Sequence, residues 1–215
     1  MNRTKIDKKN WERREIFDFF SSVSNPFYMV TFKQDVTNLH NYTKNHGISF
    51  YYGLVYLCNK AINDVDAFSY VTERDEIFHL KERLPSFTDL KKGSELFHIV
   101  TMDEGEIKGD IKAFCQRAAV KSSNQEEFIC YEDEKEDLIY FSCVPWIEMT
   151  ALTNERDLAS PKAKDDAIPH IAWGRYENVD GRKVLHISIE VNHRFIDGIH
   201  IGKFHQKLTE LIDAL

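Results

Sequence analysis

The chain has 215 residues, of which 42% are hydrophobic, and its formal net charge is −7 at pH 7. This length and apolar content suffice for one hydrophobic core, so we expect a single domain that spans residues 1–215. The negative charge argues against a general nucleic-acid-binding protein, which needs a basic face.

The distribution of apolar residues also disfavours a membrane protein or a secreted protein. The most hydrophobic stretch, residues 48–62, contains Asn59 and Lys60 and is shorter than the roughly 20 residues that a membrane-spanning helix needs. Residues 1–11 are polar and charged, which is unlike a secretory signal. We therefore expect no membrane partner and a cytoplasmic location.

The cysteines predict neither disulfides nor a metal site. Cys58, Cys115, Cys130 and Cys143 are scattered, with no Cys-x-x-Cys pair and no histidine at metal-ligand spacing. Free thiols in a reducing cytoplasm are the natural interpretation.

The pattern of apolar and polar residues predicts helices and strands in a mixed order. In chain order we predict a helix near 10–20, a strand near 27–35, a helix near 50–64, short strands near 68–80 and 85–90, a helix near 105–120, strands near 138–144, 167–177 and 184–192, and a C-terminal helix. This order, without strict alternation of strand and helix, favours an α+β fold with a mixed sheet. Asp180-Gly181 predicts a hairpin between the last two strands, and we expect the acidic run 132–137 to be a solvated loop.

The most informative motif lies between the last predicted strand and the last predicted helix. It reads His193-Arg194-Phe195-Ile196-Asp197-Gly198, with the form His-x-x-x-Asp-Gly. His193 is expected at the corner between the two elements, and Asp197 is placed to cap the helix. An imidazole has an unperturbed pKa of about 6.5, which suits a general base at neutral pH.

Three further segments accompany this motif in order. The first contains Trp11-Glu12-Arg13-Arg14-Glu15-Ile16-Phe17, the second Phe50-Tyr51, and the third Ser142-Cys143-Val144-Pro145-Trp146. Together with the histidine motif they resemble, from about residue 5 to residue 212, the trimeric, acetyl-CoA-dependent chloramphenicol acetyltransferase family. The resemblance implies a two-layer sandwich with a mixed β-sheet, the coenzyme-A-dependent acyltransferase fold. It also implies a homotrimer with active sites between subunits.

The resemblance assigns roles to individual residues. His193 falls on the general base, Ser142 on the hydrogen-bond donor to the oxyanion, and Asp197 and Arg13 on an ion pair that supports the site. No cofactor is permanently bound, since acetyl-CoA is a co-substrate. The residues that fall on contacts to coenzyme A are Trp146, Tyr176 and Tyr51, and those that fall on the acceptor pocket are Phe20, Tyr28, Thr88 and Leu152.

Departures from the family pattern are concentrated on the acceptor side. Asn192 and Arg194 are substitutions beside the histidine, Ala172 replaces a threonine, and Phe20 stands in for a tyrosine. Acyl transfer is therefore better supported by the sequence than chloramphenicol is as the acceptor.

Three other hypotheses stay open at this point. The chain is also similar to dihydrolipoyl acyltransferase catalytic domains, with their Asp-His-Arg-x-x-Asp-Gly signature, although we expect none of their upstream lipoyl domains before Asn10. A homologue that acetylates another small alcohol and a catalytically silent ligand-binding relative are the others. Cys143 as a nucleophile is disfavoured, because strand alternation turns it to the face opposite Ser142.

Overall fold

The computed structural model describes residues 3–73, 76–156, 158–160 and 163–215, and in these ranges the chain forms ten strands and five α-helices. The strands are β1 (Arg3–Lys5), β2 (Phe27–Asp35), β3 (Tyr70–Glu73), β4 (Glu76–Leu80), β5 (Leu84–Leu90), β6 (Phe97–Thr101), β7 (Leu138–Val144), β8 (His170–Gly174), β9 (Glu177–Val179) and β10 (Arg182–Asn192). The helices are α1 (Arg14–Ser22), α2 (Thr37–His46), α3 (Phe50–Asn63), α4 (Ile111–Asn124) and α5 (Gly198–Asp213).

The central sheet has seven strands and is mixed. Its order is β2-β10-β8-β7-β5-β6, with β9 paired to β10. The pairs β5–β7 and β7–β8 are parallel, and the others are antiparallel. A second, antiparallel sheet has the order β1-β4-β3. Helices and a mixed sheet in this arrangement confirm the predicted α+β fold.

One face of the central sheet forms the hydrophobic core with the helices. Strand β10 alternates, and Leu185, Ile187, Ile189 and Val191 are buried on one side. Helices α2, α3, α4 and α5 contact β10, β5, β6 and β2 respectively. Because α3 also packs against α4 and α5, most of its surface is apolar and buried. None of the helices in the described ranges is long and apolar enough to cross a bilayer.

Several predicted elements are confirmed in type and position. Strands β2 and β7 have the predicted bounds, 27–35 and 138–144. The predicted hairpin joins β9 to β10, and its turn residues Asp180 and Gly181 have φ values of 48° and 78°. This left-handed pair of residues matches the right-handed twist of the flanking strands.

Other predictions of elements were wrong. Strand β6 and helix α2 were not predicted. Helix α2 buries only Leu39 and Thr43 and therefore lacks a clear apolar stripe. The helix predicted near 105–120 begins at Ile111, where Asp110 caps it by accepting a hydrogen bond from the Ala113 amide at 2.9 Å. The strand predicted near 167–177 is broken into β8 and β9.

The acidic run 132–137 is not simply a solvated loop. Asp137 is buried, and Glu134 accepts a hydrogen bond from the Tyr140 hydroxyl at 2.6 Å. The run therefore packs against the end of β7, and two of its carboxylates face the interior.

Candidate active site

His193 directly follows β10 in a tight turn that leads into α5. Its backbone N–H donates to the Pro26 carbonyl at 2.8 Å, which extends the β10–β2 pairing by one residue. The amides of Phe195 and Ile196 both donate to the Asn192 carbonyl at 3.0 Å. Asp197 is the N-cap residue of α5. The corner predicted from the sequence thus holds the histidine backbone on a rigid scaffold.

The imidazole of His193 lies between two aromatic rings. Its centroid is 3.9 Å from that of Phe20, nearly parallel to it, and 4.4 Å from that of Tyr28. The His193 side chain is 33% exposed, and its Nε2 is 3.5 Å from Oδ1 of Asp197. Burial lowers the pKa of His193; Asp197 opposes this shift and Arg13 adds to it. The imidazole is therefore neutral and partly accessible at neutral pH, as a base requires.

Arg13 holds the corner together from the start of α1. Its guanidinium donates two hydrogen bonds to the Asp197 carboxylate, one of them at 2.7 Å from Nη2 to Oδ1. Nη2 also donates to the His193 carbonyl at 2.9 Å, and Nε donates to the Arg194 carbonyl at 2.8 Å. The hydrogen bonds from Arg13 hold the pKa of Asp197 below its usual range. Arg13 therefore fixes both the turn and the carboxylate beside the imidazole.

The side chain of Asn192, one of the substitutions beside His193, stabilises the backbone around the turn. Its Nδ2 donates to the carbonyls of Lys164 and Asp166, both at 2.9 Å, and its Oδ1 accepts from the Arg194 amide at 3.0 Å. The side chain is 3% exposed. Asn192 thus ties the segment before β8 to the turn and is directed away from the imidazole.

The substitution at Arg194 is structural in the same way. Nε donates to the Ser21 hydroxyl at 3.0 Å, and Nη1 donates to Oδ1 of Asp165 at 3.0 Å. The guanidinium carbon lies 4.3 Å from the centroid of the Phe17 ring. Arg194 therefore joins α1 to the 3₁₀ turn Ala163–Asp165, and its charge does not enter the space next to His193.

Ser142 belongs to a row of small side chains on the sheet face away from the helices. Ser142 on β7 is in register with Ala172 on β8, Ala172 with Ser188 on β10, and Ser188 with Thr31 on β2. The Ser188 hydroxyl lies 2.8 Å from that of Thr31 and accepts a hydrogen bond from the Leu152 amide at 3.0 Å. The segment after β7 thus crosses this row at Leu152.

Two cavities adjoin at Ser142. The first, which we call the Trp146 cavity, has a volume of about 490 Å³ and is lined by residues that include Tyr51, Thr88, Ser142 and Trp146. The Tyr51 hydroxyl donates to the Thr88 carbonyl at 2.7 Å. Burial raises the pKa of Tyr51 well above its ordinary value. Three predicted site residues, Tyr51, Thr88 and Trp146, therefore share one cavity with Ser142.

The segment that carries Trp146 is held by a close approach to β8. The amide of Arg175 donates to the Ile147 carbonyl at 2.7 Å. A Cβ atom at Gly174 would lie only 2.6 Å from that carbonyl oxygen. Glycine at position 174 is thus required for Trp146 to stand at the mouth of its cavity.

The second cavity, which we call the His170 cavity, has a volume of about 520 Å³ and is lined by residues that include Thr88, Glu134, Tyr140, Ser142 and His170. Thr88 and Ser142 line both cavities. The Ser142 hydroxyl is therefore available where the two spaces meet.

His170, Tyr140 and Glu134 line this cavity but were not predicted as site residues from the sequence. A signal for the first was present, because His170 is two residues before Ala172 and two-residue spacing puts them on one face of a strand.

Tyr176 lies outside the wall of the Trp146 cavity. Its ring centroid is 5.9 Å from that of Phe50, the residue before Tyr51, and 5.3 Å from that of His40. Nζ of Lys183 is 4.6 Å from the Tyr176 ring centroid. Tyr176 and Lys183 thus form an aromatic and cationic surface near the start of α3.

The predicted site residues form two separate groups within one chain. Phe20 and Tyr28 accompany His193, whereas Thr88 accompanies Ser142. The row of Ser142 crosses β10 at Ser188, which is five residues before His193. Ser142 itself lies on β7, two strands away from β10. With about 3.3 Å per residue along a strand and about 4.8 Å between strands, Ser142 and His193 are about 20 Å apart. The two groups cannot act on one carbonyl within a single chain.

Cys143 does not have the properties of a nucleophile. Burial raises the pKa of its thiol to about 12, so the thiolate is scarce at neutral pH. Among the described residues, no group of three or more histidine, cysteine or acidic side chains is arranged to hold a metal ion.

Comparison with solved structures relates the fold to two groups of enzymes. A chloramphenicol acetyltransferase superposes with a TM-score of 0.86 at 23% identity, covering 98% of this chain and 100% of the other. A probable dihydrolipoamide acetyltransferase from Listeria monocytogenes gives a TM-score of 0.68 at 13% identity, covering 95% and 92%. These likenesses confirm the predicted coenzyme-A-dependent acyltransferase fold.

Sequence comparison relates nearly the full length of the chain to chloramphenicol acetyltransferases. The chain is 28% identical over 214 residues to a chloramphenicol acetyltransferase of Clostridium perfringens, covering 98% of each. It is 26% identical over 217 residues to chloramphenicol acetyltransferase 3 of Escherichia coli, covering 100% of this chain and 99% of the other. A family model for chloramphenicol acetyltransferase matches residues 1–209. The predicted resemblance is confirmed, and the chain belongs to the chloramphenicol acetyltransferase family.

Proposed function

We propose that this chain is an O-acetyltransferase that transfers the acetyl group of acetyl-CoA to a hydroxyl of a small molecule, with chloramphenicol as the leading acceptor. The observation that carries the proposal is the neutral, partly exposed imidazole of His193, which Arg13 and Asp197 hold at a rigid corner. Acetylation of chloramphenicol would give the protein a role in antibiotic resistance.

The proposed mechanism uses His193 as general base. It takes the proton of the acceptor hydroxyl as that oxygen attacks the thioester carbonyl carbon of acetyl-CoA. The carbonyl oxygen becomes an oxyanion, to which the Ser142 hydroxyl donates a hydrogen bond. When the tetrahedral intermediate collapses, the carbon–sulfur bond breaks and the thiolate of coenzyme A takes the proton back from the imidazolium. The enzyme is thereby regenerated without a covalent intermediate.

The two cavities support a division of the substrates around Ser142. We place the pantetheine arm of acetyl-CoA, a co-substrate that is not permanently bound, in the Trp146 cavity, against Trp146 and Tyr51, with Tyr176 contacting a more distant part of the molecule. The acceptor occupies the His170 cavity and reaches past Thr88. Ser142, which lines both cavities, then faces the thioester carbonyl.

The separation of Ser142 from His193 supports a homotrimer with active sites between subunits. Residues about 20 Å apart in one chain can meet only if His193 of one subunit approaches Ser142 of another. Phe20 and Tyr28 would then complete the acceptor pocket from the side of His193, and Leu152 from the sheet face. Phe97, Phe128 and Trp146, which line the two cavities, are 49%, 50% and 62% exposed in one chain, and such exposed apolar residues are typical of an interface. We propose a cytoplasmic, single-domain subunit.

The experiment is the consumption of acetyl-CoA in the presence of chloramphenicol, followed by loss of the thioester absorbance and by chromatography of the product. The wild type is expected to turn over only with an acceptor present, and His193→Ala is expected to lose at least about 10²–10⁴-fold in rate. His186→Ala is the matched control, because His186 lies on β10 and pairs with Glu177 at 3.3 Å, away from both cavities.

Further acceptors separate this proposal from its alternatives. Turnover with dihydrolipoamide and not with chloramphenicol would favour the thiol acyltransferase, and turnover with another alcohol alone would identify a different O-acetyltransferase. If acetyl-CoA binds and no acceptor is acetylated, the chain is a silent ligand-binding relative and the proposal fails.

A further inference from the structure

The polar side chains of the His170 cavity that the acyl-transfer mechanism does not use include Glu134, Tyr140 and His170. His170 begins β8 and is in register with Tyr140 on β7, and their ring centroids are 5.1 Å apart. The Tyr140 hydroxyl donates to Oε2 of Glu134 at 2.6 Å. The histidine and the carboxylate thus lie on two sides of Tyr140 in one cavity wall.

Two atoms of this group are buried without a partner. Within the described ranges, Nε2 of His170 and Oε1 of Glu134 have no hydrogen-bond partner. Buried polar atoms in folded proteins are nearly always paired, and an unpaired one is destabilising. Both atoms belong to residues of the same cavity wall, so a small turn of either side chain toward the cavity would give its unpaired atom a ligand there as a partner.

The charges around the cavity restrict the chemistry of that ligand. Burial lowers the pKa of His170 to about 4; Arg156 contributes to the shift and Glu190 opposes it. His170 is therefore neutral at neutral pH. Glu134 and Glu155 line the cavity, and its described lining contains no lysine or arginine. The cavity therefore favours a group that donates hydrogen bonds and disfavours an anion.

We propose that the acceptor of this enzyme carries, besides the hydroxyl that is acetylated, a second hydrogen-bond-donating group that Glu134 and His170 bind. The proposal rests on the proposed function, because it places the acceptor in the His170 cavity. A second hydroxyl donates its hydrogen to Oε1 of Glu134 and accepts a hydrogen bond from Nε2–H of His170. An ammonium group donates to both atoms and is also attracted by the Glu134 charge. Chloramphenicol, with its second hydroxyl, belongs to this class of acceptor.

The test uses linear primary alcohols of equal length whose far end is a hydroxyl, an ammonium, a methyl or a carboxylate group. We expect kcat/KM for the hydroxyl or ammonium acceptor to exceed that for the methyl acceptor by about tenfold, and the carboxylate acceptor to be the poorest. His170→Leu is expected to reduce this ratio to near one. Glu134→Gln retains an acceptor oxygen but loses the charge, so it lowers kcat/KM for the ammonium acceptor more than for the hydroxyl one.

Controls separate this inference from folding and from the proposed function. His186→Leu replaces a histidine elsewhere on the same sheet and is expected to keep the wild-type preference, and each variant is checked for coenzyme A binding. Binding of the four alcohols is measured by calorimetry in parallel. Equal kcat/KM and equal affinity for the four alcohols, unchanged in His170→Leu, would overturn the inference and leave the proposed function intact. Preferential binding of the hydroxyl or ammonium alcohol that is lost in His170→Leu, without turnover of any acceptor, would show that Glu134 and His170 bind such a group but would contradict the proposed function and, with it, the inference about the acceptor.

Discussion

The side chain of His193 has contacts that favour its neutral form. The rings of Phe20 and Tyr28 remove water from its faces, and burial lowers its pKa. The nearby carboxylate of Asp197 would favour the imidazolium, but its charge is shared with Arg13 through two hydrogen bonds. A neutral imidazole can accept a proton at neutral pH and return it to a leaving thiolate, as the proposed general base must.

The pKa shift of His193 predicts the pH dependence of the reaction. Protonation of the base inactivates it, so kcat/KM should rise with pH through the pKa and then level off, with the midpoint below about 6.5. Asp197→Asn removes the contribution that raises the pKa and should move the midpoint further down. The measurement is kcat/KM against pH for both proteins. A midpoint above about 6.5, or an upward shift in Asp197→Asn, would contradict this account of the site.

At this scale, the residues of the proposed site that stand in a recognisable motif were predicted from the sequence, and those outside any motif were not. His193, Asp197, Arg13 and Ser142 stand in short motifs. Asn192 and Arg194 were interpreted as departures of the acceptor side, and only their contacts with residues 163–167 and with α1 show that they hold the scaffold. His170 and Glu134 belong to no motif, and the cavity that joins them is formed by segments distant in the sequence.

At the scale of elements, α1 is joined by two arginines to the turn that carries His193. Phe17 is the only described residue of α1 that is buried, so apolar packing secures the helix weakly. Arg13, at its N-terminus, donates hydrogen bonds to the corner, and Arg194 reaches back from the corner to Ser21. The position of α1, and hence of Phe20 against the imidazole, depends on these polar contacts.

Arg13→Ala should therefore impair both stability and catalysis. The Arg13 side chain is 12% exposed, and its loss leaves two carbonyls and a partly buried carboxylate without their donor. We expect the free energy of unfolding to fall by about 2–3 kcal/mol, measured by urea denaturation at fixed protein concentration, together with a lower kcat. Arg13→Lys keeps the charge but not the planar fork and should recover only part of both.

The adjacent Arg14 provides the control for this prediction. It is exposed, and its hydrogen bond to the Lys9 carbonyl is long, at 3.5 Å. Arg14→Ala should change the free energy of unfolding by less than about 0.5 kcal/mol. Equal effects of Arg13→Ala and Arg14→Ala would show that the contacts of Arg13 with the corner are not needed.

Elements were predictable where a local pattern decides them. Strands β2 and β7 contain short apolar runs that indicate strands, whereas α2 is too polar to show an apolar stripe and ends at Gly47, whose φ is 63°. The break between β8 and β9 follows from the pairing of β9 with a different part of β10 from that paired with β8. Such long-range pairing leaves no local signal in the sequence.

At the scale of the whole molecule, the two halves of the proposed site lie at different places on one subunit. His193 stands where β10 meets α5, and Ser142 lies on β7, two strands away in the sheet, about 20 Å from His193. The sequence alone did not predict this separation, because it depends on the strand order β10-β8-β7. The proposed assembly would therefore be part of the proposed catalytic mechanism and not only a source of stability.

Mixed trimers provide a direct test of this arrangement. His193→Ala and Ser142→Ala subunits are each expected to be nearly inactive alone, but a closed trimer that contains both has one site with an intact His193 facing an intact Ser142. The two variants are coexpressed with different affinity tags and purified over both columns, and we expect about one third of the wild-type turnover per trimer. A His193→Ala subunit combined with a His193→Ala/Ser142→Ala subunit cannot form such a site and should stay inactive. Mixed trimers that bind acetyl-CoA and show no more activity than this control would exclude a site shared between subunits, since neither variant would then supply what the other lacks.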